Sequence, residues 1–340
     1  MTNRLFWLDV LRGVLLFLIT LGHFEPEGTF VLPLLSPTAM FYVPLFFFFS
    51  GLMINPLKYS MKDFVYKRVR TLFVPYVFFV FLFTLLDWNI LSTPIDLISQ
   101  NMMKLALGHT ILKATPLWFV SCLFVVSIVH FAVVKNVKKK KNLFLLCVFF
   151  SLLAMPLSQN QIVLPWHLEK LPMILVFTIS GFLTNCVIEG RKVNMAFVVV
   201  LLFIGICGMM LDLGDLHRND IKLWPLFFLC PISFAVGLVL LLSQRDLIKR
   251  NKYTQIFAYI SRNGIVVLAS HSYWGFVFAI VMGKICHISL EANVFFVAKI
   301  VFVYCVLYAF FIPLMNSTFY KCFGKKKVKW SDNYSIEYAE

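Results

Sequence analysis

Charged residues are scarce in this chain of 340 residues. Asp, Glu, Lys and Arg together make up 14% of it, against about a quarter in an ordinary soluble domain, whereas 60% of the chain is hydrophobic. Acidic residues are the scarcer sign, with 16 Asp and Glu against 31 Lys and Arg. This shortage excludes a conventional water-soluble domain, because too few charges remain to cover its surface.

Several short motifs are missing as well. The 8 cysteines form no CxxC pair, which argues against a zinc site or a redox pair. No metal-ligand spacing occurs among the histidines and acids, so we expect no metal site. The first apolar run contains Asp9 and Arg12 and lacks a small-residue cleavage site, which indicates a retained helix and not a signal peptide. No internal repeat of the kind found in many secondary transporters is present.

Long apolar runs are what the sequence has in abundance. Runs of about 18–25 residues suffice to cross a hydrocarbon layer about 30 Å thick as helices. We therefore predict an all-α, polytopic membrane bundle of about ten transmembrane helices over residues 1–320, followed by a basic and polar cytoplasmic tail at 321–340. The predicted spans lie near 5–24, 38–55, 72–91, 117–134, 142–157, 171–188, 194–211, 223–242, 259–282 and 294–315.

The basic residues are distributed unequally between the two sides of this bundle. The N-terminus, the even-numbered loops and the tail contain 22 of the 31 Lys and Arg residues, whereas the odd-numbered loops contain six. By the positive-inside rule the richer side is cytoplasmic, so both termini are predicted to be cytoplasmic. The basic excess is thus a topology signal, and we expect no nucleic-acid partner.

The first apolar run, FWLDVLRGVLLFLITLGHF, contains three ionisable residues. Such residues inside a span are costly and are candidates for function. Asp9 lies one turn before Arg12 and is placed to pair with it. Arg12 and His23 share one helix face, separated by about 16 Å along the axis. Two interpretations stay open: an interfacial ion pair with a histidine at the outer surface, or a functional couple.

The second and third runs add further candidates. Ser50 and Gly51 form a small-residue pair that another backbone can approach closely, and packing is favoured for Ser50 because no GxSxG elbow surrounds it. The segment YKRVRTLFVPY places Lys67, Arg68 and Arg70 in a loop at the cytoplasmic end of the third span. The favoured interpretation is a topology anchor at anionic lipid, and the alternative is a site for the phosphates of a cytosolic ligand.

Two aromatic residues in later spans have open interpretations. Trp118 begins a span at the outer face, where it serves either as an aromatic-belt anchor or as a site wall. His271 lies near the middle of the ninth predicted span and is either a packing residue or a functional one. No function is assigned to the histidines in the predicted external loops, which are His109, His167, His217 and His287.

Five motifs in order now carry a resemblance: LDVLRGVLLFLITLGHF, PLFFFFSG, KRVRTLFVPY, PLWFV and YISRNGIVVLASH. Together they resemble the acyltransferase-3 family of membrane O-acyltransferases, and most closely its fucose 4-O-acetylase-like branch. The resemblance covers nearly the whole chain. It implies a multi-pass protein of the bacterial cytoplasmic (inner) membrane that transfers an acyl group, usually acetyl, from cytosolic acyl-CoA to a hydroxyl of a lipid-linked or surface glycan.

The resemblance also implies roles for individual residues. His23 is expected to be the general base, Arg12 to orient the thioester and Asp9 to fix Arg12. The CoA phosphates are expected at Lys67, Arg68 and Arg70, and a substrate channel at Ser50, Trp118 and His271. No permanently bound cofactor is expected, since acetyl-CoA or another acyl-CoA is a co-substrate. The expected partners are the bilayer, acyl-CoA and the glycan.

Two points stay open on this hypothesis. The distance between Arg12 and His23 must be spanned either by the extended pantetheine arm or by a covalent relay. Some family members have an extra helix and a hydrolase-like domain, and we expect neither here, so either the bundle performs the whole reaction or a separate protein completes it. The alternative function is a transporter or flippase of glycans or lipids, which also places ionisable residues in its spans.

Overall fold

The computed structural model describes residues 6–24, 35–87, 94–109, 116–160, 162–188, 194–244, 247–285 and 292–328. Seven of its helices are long and apolar enough to cross a membrane, and two shorter apolar helices accompany them at Phe41–Leu52 and Met195–Met209. The protein is therefore an all-α integral membrane protein, as predicted. The count of ten spans and the cytoplasmic position of both termini stay predictions.

Fourteen α-helices are described, together with one two-stranded ribbon. The helices are α1 (Phe6–Phe24), α2 (Leu35–Leu52), α3 (Met61–Arg68), α4 (Val74–Leu85), α5 (Pro94–Ala106), α6 (Leu117–Asn136), α7 (Lys140–Gln159), α8 (Leu171–Ile188), α9 (Met195–Met209), α10 (Leu226–Gln244), α11 (Lys252–Arg262), α12 (Gly264–Ile280), α13 (Ala292–Val306) and α14 (Ile312–Ser317). The antiparallel ribbon pairs β1 (Gly214–Asp215) with β2 (Asp220–Ile221).

The third predicted span differs from the observed helix. Helix α3 begins at Met61, and a π-helical turn at Val69–Phe73 joins it to α4, so one continuous helix reaches Leu85. Ser60 caps its start, because its Oγ accepts a hydrogen bond from the backbone N–H of Asp63 at 3.1 Å. The basic cluster predicted in a loop therefore lies on a helix that continues into the membrane.

The ninth predicted span also begins later than expected. The prediction placed its start near residue 259, but α11 ends at Arg262, and Asn263 has φ −106° and ψ 21°, which is not helical. The spanning helix α12 starts at Gly264. The break leaves the buried amide of Asn263 between two helices, where it can take part in tertiary contacts.

Close helix contacts occur at small residues. A Cβ atom on Gly51 would lie 1.9 Å from the backbone oxygen of Thr178 in α8, and one on Gly13 would lie 1.9 Å from that of Phe257 in α11. Only glycine permits these approaches. The close approach expected at Gly51 is therefore present, and it fixes α2 against α8.

Candidate functional site

Helix α1 carries ionisable residues into two separate cavities. Arg12 lines the first, of about 480 Å³, and His23 lines the second, of about 410 Å³. Eleven residues separate the two side chains, which is about 16 Å along the helix axis. We call the first the basic cavity and the second the histidine cavity.

The basic cavity is lined by five basic side chains, and none of the described residues that line it is Asp or Glu. The five are Arg12 of α1, Lys67 and Arg68 of α3, Arg262 of α11 and Lys325 near the C-terminus. Chain segments from four regions of the sequence thus supply charges of one sign. Such a site attracts a multiply charged anion.

Aromatic rings hold the three N-terminal cations in place. The guanidinium of Arg12 lies 5.0 Å from the ring centre of Phe46, and its Nη1 is 3.3 Å from the sulfur of Met53. The guanidinium of Arg68 lies 4.7 Å from the ring centre of Phe64. Lys67 donates a hydrogen bond to the hydroxyl of Tyr59 at 2.9 Å, and this bond lowers the pKa of Tyr59.

Two predicted site residues near the basic cavity, Arg70 and Ser50, need separate description. Arg70 is not among the described residues that line the basic cavity, and its guanidinium lies 5.7 Å from the ring centre of Tyr66. The reason is helical geometry, since two residues beyond Arg68 is a rotation of about 200°. Ser50 does line the cavity, but its hydroxyl donates to the carbonyl of Phe47 at 2.7 Å and so meets no base there.

The histidine cavity brings together residues from α1, α2, α6 and the ribbon segment. His23 shares it with Tyr42, Trp118, Asp215 and His217. The Nδ1 atom of His23 lies 2.8 Å from the carbonyl oxygen of Ile19. Because a carbonyl only accepts, Nδ1 carries the hydrogen, and in the neutral ring Nε2 is left with a lone pair. This tautomer is the one that a general base at Nε2 requires.

His271 lies behind His23 and is not among the described residues that line either cavity. The two rings meet edge to face with centroids 5.1 Å apart, and His271 is fully buried. Its Nδ1 donates to the carbonyl oxygen of Val267 at 2.9 Å. The structure thus places His271 as a neighbour of His23 and not as part of the channel wall predicted from the sequence.

Trp118 rests on a buried charged cluster that the sequence analysis did not identify. The ammonium of Lys170 lies 4.7 Å from its ring centre. Lys170 is 3.8 Å from a carboxylate oxygen of Glu169, and the Nδ1 of His167 is 3.4 Å from the same oxygen. All three side chains are buried. His167 has φ 57°, which is uncommon for a residue with a side chain and marks a constrained turn.

His217 is the second residue that the sequence analysis left without a function. Its ring centre lies 4.7 Å from that of Trp118, and its backbone N–H donates to Oδ1 of Asp215 at 2.7 Å. The side chain keeps some exposure, yet the atoms packed around the ring, and after them Lys170, lower the pKa of His217. His217 is therefore neutral near pH 7, and the cavity contains two imidazoles from distant parts of the chain.

Adjacent residues of α6 face different cavities. Trp118 lines the histidine cavity, whereas Phe119 lines the basic cavity and packs against Phe46 with ring centres 5.0 Å apart. Trp118 and Phe119, the two aromatic residues of PLWFV, therefore separate the two cavities. No group of three His, Cys, Asp or Glu side chains that could hold a metal occurs in the part of the chain that the structure describes.

Comparison with known families gives one match. The model of the acyltransferase-3 family, described as an acyltransferase domain, matches residues 5–312, which is nearly the whole chain. The comparisons with curated proteins and with solved structures each found no match. The matched residues include both cavities except for Phe323, Gly324 and Lys325. The chain belongs to the acyltransferase-3 family and is a membrane acyltransferase.

Proposed function

We propose that this membrane acyltransferase moves an acetyl group from cytosolic acetyl-CoA to a hydroxyl of a lipid-linked or surface glycan, as in the fucose 4-O-acetylase-like branch. The observation that carries the proposal is the pair of cavities on α1, with Arg12 in a basic cavity and His23 in a cavity with a wall of aromatic and polar residues. The first suits a donor with several phosphates, and the second suits a neutral alcohol.

The basic cavity holds the donor. Acyl-CoA has several phosphate charges on a flexible arm, and five basic side chains from separate parts of the chain line this cavity. Arg68 and Arg262 offer planar forks that match phosphate oxygens, and Lys67 adds a compact charge. This assignment places the donor on the predicted cytoplasmic side of the bacterial inner membrane.

The histidine cavity holds the acceptor. Nε2 of His23 takes the proton of the acceptor hydroxyl, and the alcohol oxygen bonds to the carbonyl carbon of the thioester. The tetrahedral intermediate then loses its C–S bond. The CoA thiolate leaves and takes up a proton, so the products are the ester and free CoA. Trp118 and Tyr42 offer the flat apolar faces on which the acceptor packs.

The donor and acceptor meet at the aromatic partition between the cavities. The roughly 16 Å between Arg12 and His23 is spanned by the pantetheine arm, which passes the packed rings of Phe46 and Phe119. The thioester then enters the histidine cavity beside Trp118. Direct transfer of this kind requires both substrates to be bound together, whereas a covalent relay gives ping-pong kinetics.

Incubating membranes that contain the protein with acetyl-CoA labelled in its acetyl group tests the proposal. The expected result is label in an alkali-labile ester of membrane glycan, with no such label in membranes that contain His23→Ala. Movement of glycan across the membrane without any transfer of label would support the transporter alternative and reject the proposal.

A further inference from the structure

The basic cavity is bordered by a segment that lies beyond the family match, which ends at residue 312. After α14, a 3₁₀ turn at Tyr320–Phe323 leads the chain back to the bundle. The Phe323 side chain is buried and packs against Phe78 and Phe79 of α4, with ring centres 5.8 and 5.7 Å away. Gly324 follows with φ 62°, a conformation that favours glycine and reverses the chain.

Two buried amides hold the next residue of this segment. The ammonium of Lys325 donates to Oδ1 of Asn263 at 2.7 Å and to Oδ1 of Asn316 at 3.0 Å. Asn316 also donates from Nδ2 to the Asn263 oxygen at 3.1 Å. Both amides are buried and uncharged, and their oxygens orient the ammonium.

The ammonium of Lys325 therefore adds charge to a wall that is already cationic. It lines the basic cavity with Arg12, Lys67, Arg68 and Arg262. Five basic groups that converge on one cavity suit the oxygens of a multiply charged anion such as a phosphate. A tail that served only as a topology signal would have no need to fix one lysine between two buried asparagines.

We propose that Lys325 is a phosphate ligand of the basic cavity, supplied by the C-terminal segment 320–328. The inference rests on the proposed function only in naming acyl-CoA as the source of the phosphate. The headgroup of an anionic lipid offers the same chemistry, and the experiment distinguishes the two sources.

The test compares Lys325→Met with Lys326→Met in full-length, detergent-solubilised protein. Both changes remove one positive charge from the same segment, but Lys326 is exposed and does not line the cavity. The dissociation constants for CoA and for phosphatidylglycerol are measured for each variant. We expect Lys325→Met to weaken CoA binding by about tenfold or more, the usual scale of one hydrogen bond to a charged group, and Lys326→Met to bind like the wild type.

A second measurement needs no variant, which matters if Lys325→Met fails to fold. An amine-reactive reagent is applied to the wild-type protein with and without CoA, and modification is read by mass spectrometry. CoA should protect Lys325 while Lys326 and Lys327 react as before.

The outcomes separate the two proposals. Weaker phosphatidylglycerol binding by Lys325→Met with unchanged CoA binding would assign the ligand role to a lipid headgroup. Equal binding of both ligands by the Lys325 and Lys326 variants, without protection of Lys325, would overturn the inference and leave the proposed function intact. A wild-type protein that binds no CoA would instead reject the proposed function.

Discussion

Replacing His23 with Ala removes the imidazole that the proposed reaction uses as its base. The ring is solvent-exposed at the histidine cavity, and its one hydrogen bond within the protein that the structure describes is donated to Ile19 at 2.8 Å. Loss of that bond costs about 0.5–1.5 kcal/mol of stability. Loss of a general base slows the reaction by about 10²–10⁴, which is about 2.7–5.4 kcal/mol of activation free energy. The rate should therefore fall far more than stability does.

The assay compares equal amounts of purified wild-type and variant protein reconstituted in vesicles. Initial rates of acetyl transfer from labelled acetyl-CoA to glycan are measured beside the thermal unfolding midpoint. A matched control moves the imidazole by one position, as His23→Gly with Gly22→His. A Cβ at Gly22 meets no atom within 4 Å, so the backbone there accepts a side chain without a clash at its first atom. It is rotated by about 100° and loses the position that Ile19 fixes.

We expect both variants to insert and unfold nearly as the wild type does while transferring little acetyl. Gly22 also lines the histidine cavity, so the control asks whether position matters or whether any imidazole in the cavity suffices. Transfer by His23→Ala within about tenfold of the wild-type rate would refute the assignment of His23 as the base. If the variant with the moved histidine transfers acetyl and His23→Ala does not, the hydrogen bond to Ile19 is not what makes the imidazole an effective base.

Three other predictions follow from the same geometry. Arg68→Ala should raise the apparent KM for acetyl-CoA about tenfold or more, whereas Arg70→Ala should change it little, because Arg68 lines the basic cavity and Arg70 is not among its described lining residues. Equal effects of the two variants on KM in steady-state kinetics would contradict this. Burial lowers the pKa of His167 below its unfolded value of about 6.5, so the unfolded state binds the proton more readily and stability falls as the pH drops through that value. His167→Asn, which tolerates the positive φ, should accordingly lose less of its unfolding midpoint than the wild type between about pH 7.5 and 5.5; equal losses would exclude His167 as the cause. A reporter fused after Lys329 should behave as cytoplasmic and one inserted near His109 as external, and either opposite result would break the topology.

The helical architecture could be predicted because the apolar runs act locally. An apolar run in lipid has to form its backbone hydrogen bonds within itself, so it becomes a helix whatever its neighbours in the fold are. The observed bounds of α6 and α7 accordingly lie close to the predicted ones. The starts of α3 and α12 were misplaced for a different reason. Ser60 caps a polar helix that hydropathy cannot detect, and the break at Asn263 is a single backbone conformation inside an apolar stretch.

The site could be predicted only where its residues share one helix. Arg12 and His23 follow from the spacing along α1, and the structure places them in two different cavities. His217 and Lys170 reach Trp118 through turns that bring together distant parts of the chain, and no periodicity reports such contacts. The sequence could not single out Lys325, because every lysine in a lysine-rich tail is equally well explained as a topology signal.

The separation of the two cavities gives a reason for the buried charged residues, Lys170 and Glu169, beside Trp118. In the proposed reaction, acyl transfer from a thioester competes with hydrolysis, so the wall between the proposed donor and acceptor sites has to exclude water while the pantetheine arm passes through it. An aromatic partition does this only if its rings stay in place. The ammonium of Lys170 against the ring of Trp118, fixed in turn by Glu169, supplies such a constraint from outside the channel. In this scheme the buried cluster positions the partition, and His23 carries out the proton transfer on its far side.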